Sequence, residues 1–79
     1  MGLEIVEFVA SVEKAFELEI SDATWNLLRT PRDVADYVER RASKLWSRAE
    51  IEDVIDGLIL SVRPKAVFNR DSDLRTIFP

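Results

Sequence analysis

The chain has 79 residues, of which 47% are hydrophobic and 33% charged, with a net charge of −4 and neither cysteine nor histidine. This length and balance predict one small globular domain rather than a disordered segment. Lack of cysteine excludes disulfides and thiol chemistry, and lack of histidine removes the commonest general base and metal ligand. The negative charge opposes binding to nucleic-acid phosphates. We therefore expect a non-enzymatic protein with no catalytic residues, no metal site and no nucleic-acid partner.

Hydropathy along the chain predicts no membrane partner. No apolar run approaches the roughly 18 residues of a membrane span, and no basic segment followed by an apolar one marks a secretory signal. A chain without cysteine is also typical of the reducing cytoplasm. We expect the protein to be cytoplasmic.

The first predicted element is a helix over residues 3–16. Apolar residues recur there at helical spacing, while Glu4, Glu7, Ser11 and Lys14 fall on the opposite stripe. The predicted apolar face consists of Leu3, Ile5, Val6, Phe8, Val9, Val12 and Phe16. An extended connector follows, after which Ser21 or Asp22 is expected to cap a short helix reaching residue 28.

The second long helix is predicted to begin at Pro31. Thr30 is suited to the N-cap, proline is favoured at the first helical position, and Asp33 lies near the positive end of the helix dipole. Apolar residues keep the helical spacing as far as Trp46. The pattern therefore predicts a helix over about residues 31–46.

The third long helix is predicted after Ser47. Ser47 and Glu50 form the pattern of a capping box, and Pro64 should end the helix near Val62. Residues 65–79 are expected to be mostly loop, with one helical turn after Asp71 or Ser72. The predicted fold class is all-α.

The junction between the second and third long helices leaves two arrangements open. Residues 41–49 contain no glycine or proline, although a tight turn between helices usually uses one. The two helices then either fuse into a rod, which favours a domain-swapped homodimer, or break at Ser47 and fold into a compact monomer.

Residues 2–16, GLEIVEFVASVEKAF, are similar to the pattern Asp-Ser-Leu-Asp-x-Val-Glu-Leu-Val followed by x-x-Leu-Glu-x-x-Phe. Residues 17–22 resemble the loop Gly-Ile-Glu-Ile-Pro-Asp, and residues 28–38 resemble Ile-x-Thr-Val-x-Asp-x-Val-x-Tyr-Ile. These patterns belong to helices II to IV of the acyl carrier protein family, the phosphopantetheine-binding carrier domains. The resemblance implies a small bundle of three to four helices.

The rest of the chain resembles the part of that family which normally comes first. Residues 47–62 resemble helix I, and residues 67–78 resemble the long loop after it. Residues 1–79 are thus expected to form one carrier-protein-like domain, with residues 1–46 as helices II to IV and residues 47–79 as helix I and its loop. This order, II-III-IV-I, implies a circular permutation opened at the prosthetic-group site.

The resemblance places Gly2 where the family keeps the serine that holds 4′-phosphopantetheine. Glycine has no hydroxyl, so we expect no phosphopantetheine at this position. Ser72, between Asp71 and Asp73, is a weak alternative attachment site, and its competing interpretation is a cap in the loop. The resemblance also implies that Phe8, Phe16 and Trp25 fill the space in which the family sheathes an acyl chain.

Acidic residues of the first helix are candidates for docking a partner. Glu4, Glu7, Glu13 and Glu17 stand at or near positions where carrier proteins meet basic surfaces of acyl- or aminoacyl-transferring or ligating enzymes. Charge complementarity of this kind favours fast and specific association. The competing interpretation is an ordinary solvated helix face. The alternative function is a structural or regulatory helical dimer unrelated to acyl transfer.

Overall fold

The computed structural model describes residues 2–42 and 45–79. These residues form five helices and no strand: α1 (Leu3–Phe16), α2 (Asp22–Trp25), α3 (Pro31–Arg41), α4 (Arg48–Val62) and α5 (Leu74–Ile77). The prediction of an all-α fold is confirmed. The first helix has the predicted bounds, and α4 ends at the predicted residue.

Side-chain caps fix where the middle helices begin. The Ser21 hydroxyl accepts a hydrogen bond from the Thr24 amide (3.2 Å), and the Thr30 hydroxyl accepts one from Asp33 (3.1 Å). Ser47 and Glu50 make both bonds of a capping box, at 3.1 and 2.9 Å. Each cap satisfies amide donors that the first turn of a helix leaves free. The predicted starts are confirmed.

Two helices are shorter than the sequence pattern predicts. The second long helix, α3, ends at Arg41, because Ala42 adopts an extended backbone with ψ of 135°. Leu45 is fully exposed outside any helix, whereas Trp46 packs edge-on against Phe16 with ring centroids 5.0 Å apart. The short helix α2 ends at Trp25, and Leu28 lies beyond it in a turn. Apolar spacing continues past both helix ends because Leu28 and Trp46 pack on the core from outside a helix, whereas Leu27 and Leu45 are exposed.

The break after α3 lets α4 return over its own chain. It packs against both α3 and α1, which is the compact arrangement and not the fused rod. Ser43 and Lys44, in the junction that left the question open, lie outside the described residues. A domain-swapped dimer stays a prediction about the protein in solution.

The core forms where one face of each long helix meets the last turn of the chain. Side chains from α1, α3, α4 and α5 are almost fully buried, namely Phe8, Val12, Phe16, Val34, Ala35, Val38, Ile51, Ile55, Ile59, Leu74 and Ile77. No polar or charged side chain among the described residues belongs to it. Burial of apolar surface is therefore the main term that holds the helices together.

Arginine–carboxylate pairs surround this core. Arg48 contacts Asp36 on α3 at 2.7 Å and Glu52 on α4 at 3.0 Å. Arg70, in the loop before α5, binds both carboxylate oxygens of Asp56 at 2.8 and 2.7 Å. The hydrogen bond from Arg48 lowers the pKa of Glu52. The network joins α3, α4 and the loop at the surface, where each pair adds little stability by itself.

Glu17, directly after α1, has the one positive φ among the described non-glycine residues, at 55°. Its amide and that of Leu18 both donate to the Glu13 carbonyl, so the helix ends in a Schellman-type cap. A side chain in this left-handed conformation costs about 1 kcal/mol.

We expect Glu17→Gly to stabilise the fold by about 0.5–1 kcal/mol, because glycine adopts positive φ without the Cβ clash. Urea denaturation measures the change. The matched control is Glu19→Gly, at an exposed position without positive φ, which should leave stability unchanged or lower it. Equal effects of the two substitutions would contradict the explanation.

We expect Arg48→Gln to make the free energy of unfolding less dependent on pH in the acid range. The hydrogen bond from Arg48 lowers the pKa of Glu52 in the folded protein. The Glu52 carboxylate therefore stabilises the fold above the usual glutamate pKa, about 4.3, and this stabilisation is lost as the pH falls through the folded pKa. The urea midpoints of wild type and variant should therefore differ at neutral pH and converge in acid. Arg40→Gln, which removes an exposed charge, is the control and should follow the wild-type profile.

Candidate functional site

The start of α1 is the position that the resemblance assigns to the prosthetic group. Gly2 precedes the helix in an extended conformation and supplies no side-chain cap, while its carbonyl accepts a hydrogen bond from the Val6 amide at 3.3 Å. The first-turn amides of a helix favour a negative group. The residue at this position nevertheless has no hydroxyl to which a phosphate could be joined.

Residue 79 lies beside residue 2. A Cβ atom placed on Gly2 would lie 3.5 Å from the Pro79 carbonyl oxygen, an ordinary van der Waals distance. Phe78 packs on Phe8 of α1, with ring centroids 5.2 Å apart. The segment after α5 is thus held against the start of α1.

The outer face of α1 combines an acidic residue with exposed apolar ones. Glu7 is exposed and forms no ion pair with the described residues, whereas Glu4 contacts Arg63 at 3.2 Å. Leu3 is 82% exposed and Val6 46% exposed. The prediction that these two side chains belong to the core face is wrong, because the buried stripe runs through Phe8, Val12 and Phe16 and leaves them to one side.

Glu13 and Glu17, the other two docking candidates, take part in the end of α1. The Glu13 carboxylate accepts a hydrogen bond from the Ile20 amide at 2.8 Å, which holds the extended connector against the helix. Glu17 is the exposed residue of the helix cap. The four acids therefore do not form one uniform surface: Glu13 has a structural partner, and Glu7 is the acid available on the outer face.

Ser72 lies in the turn before α5. Its hydroxyl accepts a hydrogen bond from the Asn69 amide at 2.8 Å, while Asp73 caps α5. These contacts are those of a loop cap. Attachment of a prosthetic group at Ser72 therefore stays a prediction, and these contacts do not support it.

A cavity of about 400 Å³ opens beside Gly2, between α1, α2 and α5. Ile5 and Val9 of α1, Trp25 and Phe78 form much of its wall, and Arg75 and Asn26 add polar groups. Trp25 also packs edge-on against Phe8, at 6.2 Å between ring centroids. Phe8, Phe16 and Trp25, which were predicted to fill the interior, are buried, and Trp25 is the one of the three that lines the cavity.

Two features of this region escaped the sequence analysis. Arg75 lines the cavity from α5, which is the helical turn predicted for this segment, although Asp73 caps it rather than Asp71 or Ser72. The sequence analysis assigned Arg75 no role. The exposure of Leu3 and Val6 was hidden by their apolar character. The available signal was their angular position on the helix, away from the stripe of Phe8, Val12 and Phe16.

Among residues 2–42 and 45–79, no three acidic side chains gather as a metal site would require. No helix in these ranges has the length and apolar character to cross a bilayer.

We expect Glu13→Ala to destabilise the fold by about 1 kcal/mol, because the Ile20 amide loses its acceptor. Glu7→Ala should change stability little, since Glu7 is exposed. Urea denaturation of both variants measures the contrast. A larger loss for Glu7→Ala than for Glu13→Ala would contradict these roles.

Comparison with known proteins agrees with the helical architecture. The chain is 46% identical over 40 residues to the acyl carrier protein of Bdellovibrio bacteriovorus. It is 38% identical over 39 residues to the acyl carrier protein of Syntrophobacter fumaroxidans. The matched segment is 51% and 49% of this chain, and the chain spans about half the length of these curated relatives.

No family model and no solved structure matches the chain. The similarity is thus confined to about half of the sequence, and the fold of the described residues is compact and all-helical. Over that half, the chain is similar to acyl carrier proteins.

Proposed function

We propose that this chain is a non-enzymatic carrier-like domain that docks on acyl- or aminoacyl-transferring or ligating enzymes without a phosphopantetheine arm at Gly2. The observation that carries the proposal is the outer face of α1, where exposed Glu7 stands beside exposed Leu3 and Val6. A basic enzyme surface with an apolar centre fits this face by charge and by burial of apolar area.

The proposal includes a circular permutation, in which residues 47–79 take the place of helix I and its loop. Its support is the short distance between Gly2 and Pro79, because a permuted order requires the joined positions to be neighbours in space. The packing of Phe78 on Phe8 adds to it, since it seats the segment before the join on the core.

Absence of the arm follows from the residue at the start of α1. Attachment needs a hydroxyl oxygen for the phosphodiester, and Gly2 supplies none. The space is not the obstacle: a Cβ at Gly2 meets nothing closer than 3.5 Å. A serine at this position would fit, so a domain that keeps the surface of a carrier without its cargo is the simplest interpretation.

Glu7 should contribute more to docking than Glu4 or Glu13. Glu4 already faces Arg63 at 3.2 Å and Glu13 already accepts the Ile20 amide, so a partner's cation gains less from either. An unpaired exposed charge increases the rate of encounter with an oppositely charged surface.

The test is a loading reaction that contains coenzyme A, a permissive phosphopantetheinyl transferase and an acyl carrier protein with its serine. We expect this chain to keep its mass and to slow loading of the carrier, because both proteins compete for the same basic surface. Glu7→Lys should relieve the inhibition several-fold. Intact mass spectrometry follows both proteins in one reaction.

Two variants control this experiment. Asp53→Lys makes the same charge change at an exposed position on α4 and should leave inhibition intact. Met1→Asp with Gly2→Ser, behind a purification tag, restores the family's Asp-Ser and should gain one arm. Gain of an arm by the wild-type chain, or equal inhibition by the Glu7→Lys variant, would overturn the corresponding part of the proposal; Ser72→Ala would then show whether Ser72 holds the arm.

A further inference from the structure

We propose that a second copy of this chain binds in the groove between α2 and α3, with the outer face of its own α1 as the occupant. The groove is lined by Leu27 and Leu28 of the turn after α2 and by Tyr37, Arg40 and Arg41 of α3. Because the contact joins two different surfaces of identical molecules, it is heterologous and continues head to tail. It is separate from the docking function and needs no enzyme.

The groove offers exposed apolar surface to a partner. Its volume is about 450 Å³. Leu27 is 77% exposed and Tyr37 is half-buried, whereas Leu28 belongs to the core. Apolar side chains placed against Leu27 and Tyr37 would remove this surface from water, which is favourable.

Two arginines supply unpaired positive charge at the same groove. Arg40 and Arg41, in the last turn of α3, are exposed and form no ion pair with the described residues. The Arg41 guanidinium lies over the Tyr37 ring, 5.6 Å from its centroid. This contact is a cation–π interaction and leaves the hydrogen-bond donors of both arginines free for a carboxylate.

The acidic residues that line the groove are already engaged. The Asp33 carboxylate accepts a hydrogen bond from the Arg29 amide at 3.0 Å, and Asp36 contacts Arg48 at 2.7 Å. The charge that the groove presents to a partner is therefore that of Arg40 and Arg41, and it selects an acidic occupant.

The outer face of α1 has the chemistry and the spacing of such an occupant. Leu3, Val6, Glu7 and Ala10 are exposed and stand at positions i, i+3, i+4 and i+7, which is the anchor spacing of a helix bound in a groove. Leu3 and Val6 match the apolar lining, and Glu7 matches the arginines. The small side chain of Ala10 lets the helix approach closely.

Charge complementarity favours a second copy, because one chain carries both surfaces and does not join them within itself. Glu7 has no ion-pair partner among the described residues, and neither have Arg40 and Arg41. A groove of this size covers less than the roughly 1,200–2,000 Å² of a stable interface. We therefore expect a weak, reversible contact that salt screens. The contact would also cover Glu7, so self-association and docking on an enzyme would exclude each other.

The test is sedimentation equilibrium of the purified chain at rising concentration, at low and at high salt. The average mass should rise with concentration at low salt and approach that of the monomer at high salt. Glu7→Lys changes the occupant, and the double substitution Arg40→Gln with Arg41→Gln changes the groove. Each should lower the association constant about fivefold to tenfold. All three positions are exposed, so both variants are expected to fold.

A mixture of the two variants distinguishes a head-to-tail contact from a symmetric one. The groove of the Glu7→Lys variant is intact, and so is the α1 face of the arginine variant. One contact can then form between them, but the lysine and the neutralised groove cannot continue the chain. We expect the mixture to form a 1:1 dimer that does not grow with concentration, although each variant alone stays mainly monomeric.

Matched substitutions elsewhere control for general charge effects. Asp53→Lys repeats the charge change of Glu7→Lys at an exposed position on α4, and Arg29→Gln with Arg75→Gln removes two exposed arginines outside the groove. Both should associate at least as strongly as the arginine variant's parent, the wild type. Glu7→Lys itself reduces the net charge of −4, which alone would favour association, so a loss in this variant is specific to the site.

Four results would overturn the proposal: a monomeric wild type at every concentration, wild-type association in either variant, no dimer in the mixture, or a wild-type dimer that does not grow further. The last result would indicate a symmetric dimer. The arginine variant keeps Glu7 and should still inhibit the loading reaction. Lost inhibition together with a monomeric wild type would assign the groove to the enzyme instead. The sedimentation experiment contains no enzyme, so its outcome and that of the docking proposal are independent.

Discussion

Burial of Phe8 is the constraint on which the rest of the structure depends. Its ring contacts Trp25 after α1 and Phe78 near the other end of the chain, so three separate segments meet at one side chain. Truncating a buried phenylalanine commonly costs about 3–5 kcal/mol, a large part of the stability of a small domain. The same contacts set Gly2 beside Pro79 and form one wall of the cavity. Core packing thereby determines the geometry of the candidate site.

Charge has two separate uses in this molecule. Arg48 and Arg70 join α3, α4 and the loop before α5 through carboxylate pairs at the surface. Glu7 and Arg75 have no ion-pair partner among the described residues, and they lie on different surfaces. The paired charges therefore link neighbouring helices at the surface, whereas these two charges are unpaired.

Much of the fold followed from local patterns, and the errors have one common cause. Ser21, Thr30 and Ser47 marked the helix starts because a cap depends on neighbouring residues alone. Helix ends were less predictable: α3 stops at Arg41 although apolar spacing continues to Trp46, since Trp46 packs on Phe16 from outside the helix. Leu3 was placed on the apolar face of the first helix because apolar character alone does not show which side of a helix is buried. For the same reason, the four candidate docking acids looked equivalent until the Ile20 amide was placed at Glu13.

The sequence by itself determined the helical class, the helix starts, the resemblance to acyl carrier proteins and the glycine at the attachment position, because these depend on residue type and short-range spacing. The tertiary structure decided which acids stay unpaired, that α4 returns onto α1, that residues 2 and 79 are neighbours, and that a cavity opens beside Arg75. Each of these depends on contacts between residues far apart in the chain. Such contacts arise only when the apolar faces of several helices are buried together.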